Sequence, residues 1–127
     1  MELLLAAIMH VETGGEPDPL NAVGQDGKSF GPLQITDICR EDINRIHETA
    51  YLREDCNDLD LARYMAICYI SYYATKRRLG HVPTDEDRAR IWNGGPDGWK
   101  EEGTKGYWEK VKRELERIAA TTLSDSK

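Results

Sequence analysis

The stretch AAIMHVE (Ala6 to Glu12) runs into Gly14–Gly15, and GQDGKSFGPLQI (Gly24 to Ile35) follows closely. Leu3, Leu4, Ala7, Ile8 and Val11 recur at helical spacing, which predicts a helix over 2–13 stopped by the glycine pair. Glu12 then stands in its last turn. Between 14 and 34 the glycines alternate with Pro17, Pro19 and Pro32, a composition that breaks helices and favours a loop with a short hairpin. A helix end beside a turn-rich hairpin is the first sign of an α+β chain.

Outward from this stretch the pattern is helical. Thr36 or Asp37 can cap a helix from about 36 to 47, with Ile38, Ile43 and Ile46 turned inward. The longest helix is expected from Asn57 or Asp58 to Gly80. Its apolar face would hold Leu59, Ala62, Ala66, Ile67, Ile70, Ala74 and Leu79. Thr84 with Asp87 forms a capping box for a helix running through Trp92 to Gly94–Gly95–Pro96. Thr104 is a candidate cap for a last helix in which Tyr107, Trp108, Val111, Leu115 and Ile118 repeat at three and four, and the tail from about 122 is expected to fray. With no repeat, low-complexity tract or interdomain linker, residues 1–127 read as one mostly helical α+β domain with a helical core and one small β-hairpin.

The 127 residues carry a net charge of −6. Residues 1–63 hold 5 basic and 13 acidic side chains, whereas 64–127 hold 12 and 10. That balance argues against a nucleic-acid partner, which demands clustered cations. No apolar run approaches the ~20 residues of a membrane span. MELLLAA is short, lacks a basic segment and leads straight into the helix, so it reads as structure and not as a signal peptide; an upstream signal already removed would leave a secreted or periplasmic protein. Cys39, Cys56 and Cys68 are too few for a disulfide framework. Cys68 reads as a buried thiol, while Cys39 and Cys56 are able to pair in an oxidising compartment. His10, His47 and His81 are scattered, and neither a metal site nor a cofactor is called for.

Two carboxylates suit glycoside cleavage, which needs a proton delivered to a poorly basic bridging oxygen by an acid whose pKa burial has raised. Glu12, at a helix end where the dipole disfavours a negative charge, is the candidate acid; the plain alternative is a surface glutamate. Asp26 in GQDG is the candidate second carboxylate, against the equally ordinary reading of an Asp-Gly turn. Ser29, Gln34 and Thr36 offer neutral hydrogen bonds to sugar hydroxyls. Asn93 in WNGGP, beside two glycines and a proline, is placed to aim an amide into a cleft or else to cap a helix. Tyr107 belongs to an aromatic group, with Trp92, Trp99 and Trp108, suited either to sugar rings or to the core.

VETGG (Val11 to Gly15), NAVG with SFGPLQIT (Asn21 to Thr36) and ARIWNGGPDG…GTKGYWEKV (Ala89 to Val111), with DLARYMAICYISYYA between the last two, resemble the lysozyme superfamily. The likeness is to the group joining goose-type and invertebrate-type lysozymes with soluble lytic transglycosylase domains. It implies a lysozyme-like domain and a peptidoglycan substrate, the β-1,4 bond between N-acetylmuramic acid and N-acetylglucosamine. Glu12 falls on the family's catalytic acid, Gln34 on its glutamine, Asn93 on its asparagine and Tyr107 on the tyrosine that follows; Asp26 resembles the second carboxylate of the invertebrate type. With only three cysteines and Trp99 where such members often have cysteine, the chain resembles a bacterial or phage member, and a phage lysis protein is one expectation. The expected function is that of a monomeric muramidase acting on glycan strands. The alternatives are a lytic transglycosylase, in which Glu12 serves as acid and then base, or a non-catalytic domain that binds glycan or is recognised by an inhibitor.

Overall fold

Helix α1 covers Glu2–Thr13, as the apolar spacing predicts. In this computed structural model, which describes residues 1–125 and side chains as far as 122, α1 buries Leu4, Leu5, Ala7 and Ile8. Leu3, read from its spacing as part of that face, is exposed. A short 3-10 turn at Pro19–Asn21 leads to strands β1 (Ser29–Phe30) and β2 (Ile35–Thr36), then α2 (Asp37–His47), a second 3-10 turn (Arg53–Asn57) and α3 (Leu59–Tyr73). After these come α4 (Lys76–Leu79), α5 (Asp85–Gly94), two 3-10 turns (Gly98–Lys100 and Glu102–Thr104) and α6 (Lys105–Asp125). The chain is thus mostly α, with one antiparallel hairpin in which Ser29 faces Thr36 and Phe30 faces Ile35. Its contacts divide it into two compact units: Met1–Val11 with Tyr72–Lys127, and Glu12–Ser71.

In the unit formed by Glu12–Ser71 the hairpin is held from several sides. Thr13, buried at the end of α1, donates from Oγ1 to the carbonyl of Pro32 at 3.2 Å. Gly31 adopts φ +81°, and a Cβ there would lie 1.9 Å from the carbonyl oxygen of Cys56. Only glycine permits both this conformation and that approach. Thr36 caps α2 by accepting the amide of Cys39 at 3.1 Å, as the N-cap pattern predicts. Within α2 Ile43 is fully buried, but Ile38 is 81% exposed, contrary to the inward face expected for it. At the second position of the helix it points away from the side Ile43 covers, and Ile35 of β2 fills the core there instead. Asp37 receives both Arg53 and Arg40. The Arg53 hydrogen bonds hold its carboxyl below the usual aspartate range, against a smaller effect of burial, and Arg40 adds to them. Arg53 also lies over the Phe30 ring at 4.5 Å.

The unit formed by Met1–Val11 and Tyr72–Lys127 corrects two sequence expectations. The helix expected to run unbroken to Gly80 stops at Tyr73. Thr75, in an extended conformation, restarts it as the N-cap of α4, accepting the amide of Arg78 at 3.2 Å, and Gly80 closes α4 at φ +82°. Arg78 holds this break by donating to the carbonyls of Tyr73 and Pro96 and to Asp97. The longest helix is therefore α6, of 21 residues. Its backbone is helical to Asp125, and residues 126–127, the end of the tail expected to fray, lie outside the described residues. Thr104 does not cap α6. It is buried, with its hydroxyl 2.6 Å from the carbonyl of Gly98, and it accepts from Arg90 Nε at 2.8 Å.

Arg90, itself buried, uses its remaining nitrogens on Glu86 and on the carbonyl of Glu101. This pins α5 to the turns that precede α6, and Ala89, Ile91 and Val111 complete the apolar packing. The capping box at Thr84 and Asp87 is formed as predicted.

Candidate functional site

The hairpin gathers three of the residues expected to touch a sugar, and each has local work. Ser29 Oγ donates to Gln34 Oε1 at 2.8 Å. Gln34 Nε2 donates in turn to the carbonyls of Gly31 at 2.9 Å and Ala22 at 3.3 Å. Gln34 occupies a left-handed backbone conformation, φ 54°, that side chains seldom adopt; its three side-chain bonds are what hold it there. A Cβ on Gly24 would sit 2.2 Å from Ser29 Oγ, so the missing side chain at 24 makes room for the Ser29–Gln34 bond. Thr36, opposite Ser29, caps α2.

Asp26 is exposed at the tip of the turn, where its Oδ1 accepts the amide of Lys28 at 3.0 Å and Gly27 takes φ +71°. This is the Asp-Gly turn that its local sequence also suggested. Glu12 is half-buried in the last turn of α1. Asn93 is exposed in the last turn of α5, whose end is closed by the amide of Gly95 bonding to the carbonyl of Ile91 at 2.9 Å. Tyr107 is half-buried in the first turn of α6. Asn93 and Tyr107 belong to one compact unit, and Glu12, Asp26, Ser29, Gln34 and Thr36 to the other. Among the described residues no group of three or more His, Cys, Asp and Glu side chains is arranged to hold a metal ion. No helix among them is long and apolar enough to cross a membrane.

Sequence reading passed over a second constellation, on α1 and α6. His10, Val11, Lys110, Arg113, Glu114 and Arg117 line a groove of about 410 Å³. Glu114, with its side chain only 8% exposed, is the single carboxylate of the lining. Arg117 donates to Glu114 Oε1 from Nε, at 2.8 Å, and from Nη2, while His10 Nε2 stands 3.5 Å from Oε2. The Arg117 hydrogen bonds, against a smaller effect of burial, hold the Glu114 carboxyl below the usual glutamate range, and His10 contributes further. Lys110 and Arg113 are exposed and make no ion pair among the described residues. The legible signal was the spacing 110, 113, 117, which places three cations on one helical face. The apolar repeat of Tyr107, Val111, Leu115 and Ile118 in the same window masks it.

The sequence matches no family model and no curated protein. In fold it is similar to a chain of the crystal structure of Aeromonas hydrophila PliI in complex with Meretrix lusoria lysozyme. The TM-score is 0.72 at 24% sequence identity, over 89% of this chain and 88% of that one. The likeness shows the fold, and what it adds is an assembly of two proteins. The expected muramidase or lytic transglycosylase, with Glu12 as general acid and Asp26 as its partner, is corrected accordingly: the likeness in fold is to a chain of a complex between PliI and a lysozyme, and it does not support glycan cleavage by this chain. The hydrolase, bacteriolytic and wall-degrading descriptions fall with it, and a peptidoglycan partner is not supported.

Proposed function

We propose that this domain works by binding a protein partner, as one member of a pair of the kind that PliI and a lysozyme form, and that it does so on a lysozyme-related scaffold without cleaving glycan. The observation that carries this reading is the likeness in fold, over most of both chains, to a component of that complex. The hairpin agrees with it, since Ser29, Gln34 and Thr36 spend their polar groups on the local fold and Asp26 on its own turn. The lysozyme-superfamily resemblance then describes the ancestry of the scaffold. Glu12 in one unit, and Asn93 and Tyr107 in the other, are each proposed as residues that such a partner contacts. We place the protein, acting as one domain, outside the cytoplasm, where such pairs would meet their targets.

The test is a binding measurement with each of the two proteins of that complex, immobilised separately. Saturable binding to one of them, with no soluble fragments released from peptidoglycan, supports the reading. Binding to neither, or fragments whose release depends on Glu12, overturns it.

A further inference from the structure

We infer that the groove between α1 and α6 is a docking site for an acidic segment of a protein partner, engaged through Lys110 and Arg113. The inference deepens the protein-binding reading and rests on it for the nature of the partner. In a chain of net charge −6 this groove concentrates cations. Lys110, Arg113 and Arg117 contribute three positive charges, His10 adds a fourth when protonated, and only Glu114 opposes them. Glu114 is already engaged by Arg117 and His10, whereas Lys110 and Arg113 make no ion pair among the described residues, so both are left to meet a ligand, with the exposed Glu109 and Glu116 flanking Arg113 on α6. Like charges three and four residues apart on a helix repel one another. Lys110 with Arg113, and Arg113 with Arg117, stand at those spacings, and an incoming carboxylate relieves that repulsion. An arginine fork accepts a carboxylate in a planar two-bond arrangement.

Size and extent select among anions. The volume of about 410 Å³ lies near the lower end of pockets that hold small ligands, enough for one or two acidic side chains and too little for a helix. Residues 110 to 117 span roughly 10 Å of helix axis, which meets only a few phosphates of a nucleic acid, and the acidic remainder of the chain repels a longer polyanion. Val11 gives the lining one apolar side chain, against which the methylenes of a glutamate can lie.

The experiment measures fluorescence anisotropy of a labelled hexaglutamate peptide titrated with the protein at low salt, using wild type, Arg113→Glu, Lys110→Glu and the control Lys28→Glu. The control makes the same change in net charge on the hairpin turn of the other unit, outside the groove's lining, and circular dichroism verifies that each variant is folded. The inference predicts salt-sensitive binding that weakens at least about tenfold in Arg113→Glu and Lys110→Glu and is unchanged in Lys28→Glu. It is overturned if hexaglutamate does not bind, if Lys28→Glu weakens binding as much, or if a labelled oligothymidylate of six nucleotides binds as tightly as the peptide. The two readings fail separately. A protein partner captured equally by wild type and Arg113→Glu removes the groove and keeps protein binding, whereas groove-dependent peptide binding without any captured protein keeps the groove and removes the proposed pair.

Discussion

Ser29 Oγ and Gln34 Oε1 lie 2.8 Å apart in a hydrogen bond across the hairpin, under a glycine at 24 that leaves them room. The bond joins two residues that sequence alone assigned to substrate, and its energetic work is to hold Gln34 in a left-handed backbone conformation. Ser29→Ala and Gln34→Ala should each destabilise the fold by about 1 kcal/mol or more, since each removes a partly buried hydrogen bond and leaves a partner unmet. A double-mutant cycle read by urea denaturation should show a coupling of about 0.5–1.5 kcal/mol. Additive effects would show that the two side chains act independently.

Gly31→Ala should be among the most damaging single substitutions. The new methyl would stand 1.9 Å from the carbonyl of Cys56 at a backbone φ of +81°, so strain and overlap act together. A loss of about 2–4 kcal/mol is expected, with a correspondingly lower melting temperature. Gly27→Ala, with positive φ but open space around it, should cost less, and equal losses would contradict the contact with Cys56.

Much of this architecture was legible because local signals agreed with tertiary packing. The spacing of Leu4, Ala7 and Ile8, the Thr36 cap and the Thr84–Asp87 box each state a helix in their own residues. The break after Tyr73 was not, because Ala74 and Thr75 are unremarkable in a helix and the reason for the break lies in the carbonyls of Tyr73 and Pro96 reached by Arg78. Thr104 misled for the same reason: its hydroxyl is claimed by Arg90, fourteen residues earlier. At the site, the order of Glu12, Asp26, Gln34 and Asn93 carried the resemblance. That Ser29 and Gln34 satisfy each other depends on Gly31 and Ala22 carbonyls that no residue pattern displays.

Acid should weaken the fold through Asp87 and Glu114, in addition to Asp37. Burial opposes the charge on Asp87, but the amide of Thr84, the His81 ring at 2.8 Å and the Thr84 hydroxyl outweigh it, leaving its pKa below the ordinary 3.8. Glu114, held by Arg117, lies below the ordinary 4.5. A carboxyl whose pKa is lower folded than unfolded stabilises above its unfolded pKa, and that stability is lost as pH falls through the folded value. The urea midpoint should therefore be insensitive to these groups above about pH 5 and fall progressively below about pH 4. Asp87→Asn should start less stable at neutral pH and show a shallower acid decline; an unchanged slope would mean that Asp87 does not carry it.

Burial pushes the Cys39 thiol up to about 12 and Cys56 up to about 11. All three cysteines are free thiols, and thiolate is the reactive form. Iodoacetamide at pH 8 should label native Cys39 and Cys56 far more slowly than the unfolded chain, with Cys68 the fastest of the three in the native protein. Peptide mapping of the alkylated sites gives the order, and rapid labelling of Cys56 would contradict its burial.

The most direct measurement incubates the protein with purified peptidoglycan and, in parallel, passes it over immobilised Aeromonas hydrophila PliI and over immobilised Meretrix lusoria lysozyme. The account predicts saturable binding to one of the two proteins and no muropeptides in the soluble fraction by mass spectrometry, for wild type and Glu12→Gln alike. Muropeptides released by wild type and absent with Glu12→Gln would contradict it, and would make Glu12 the acid of a working enzyme.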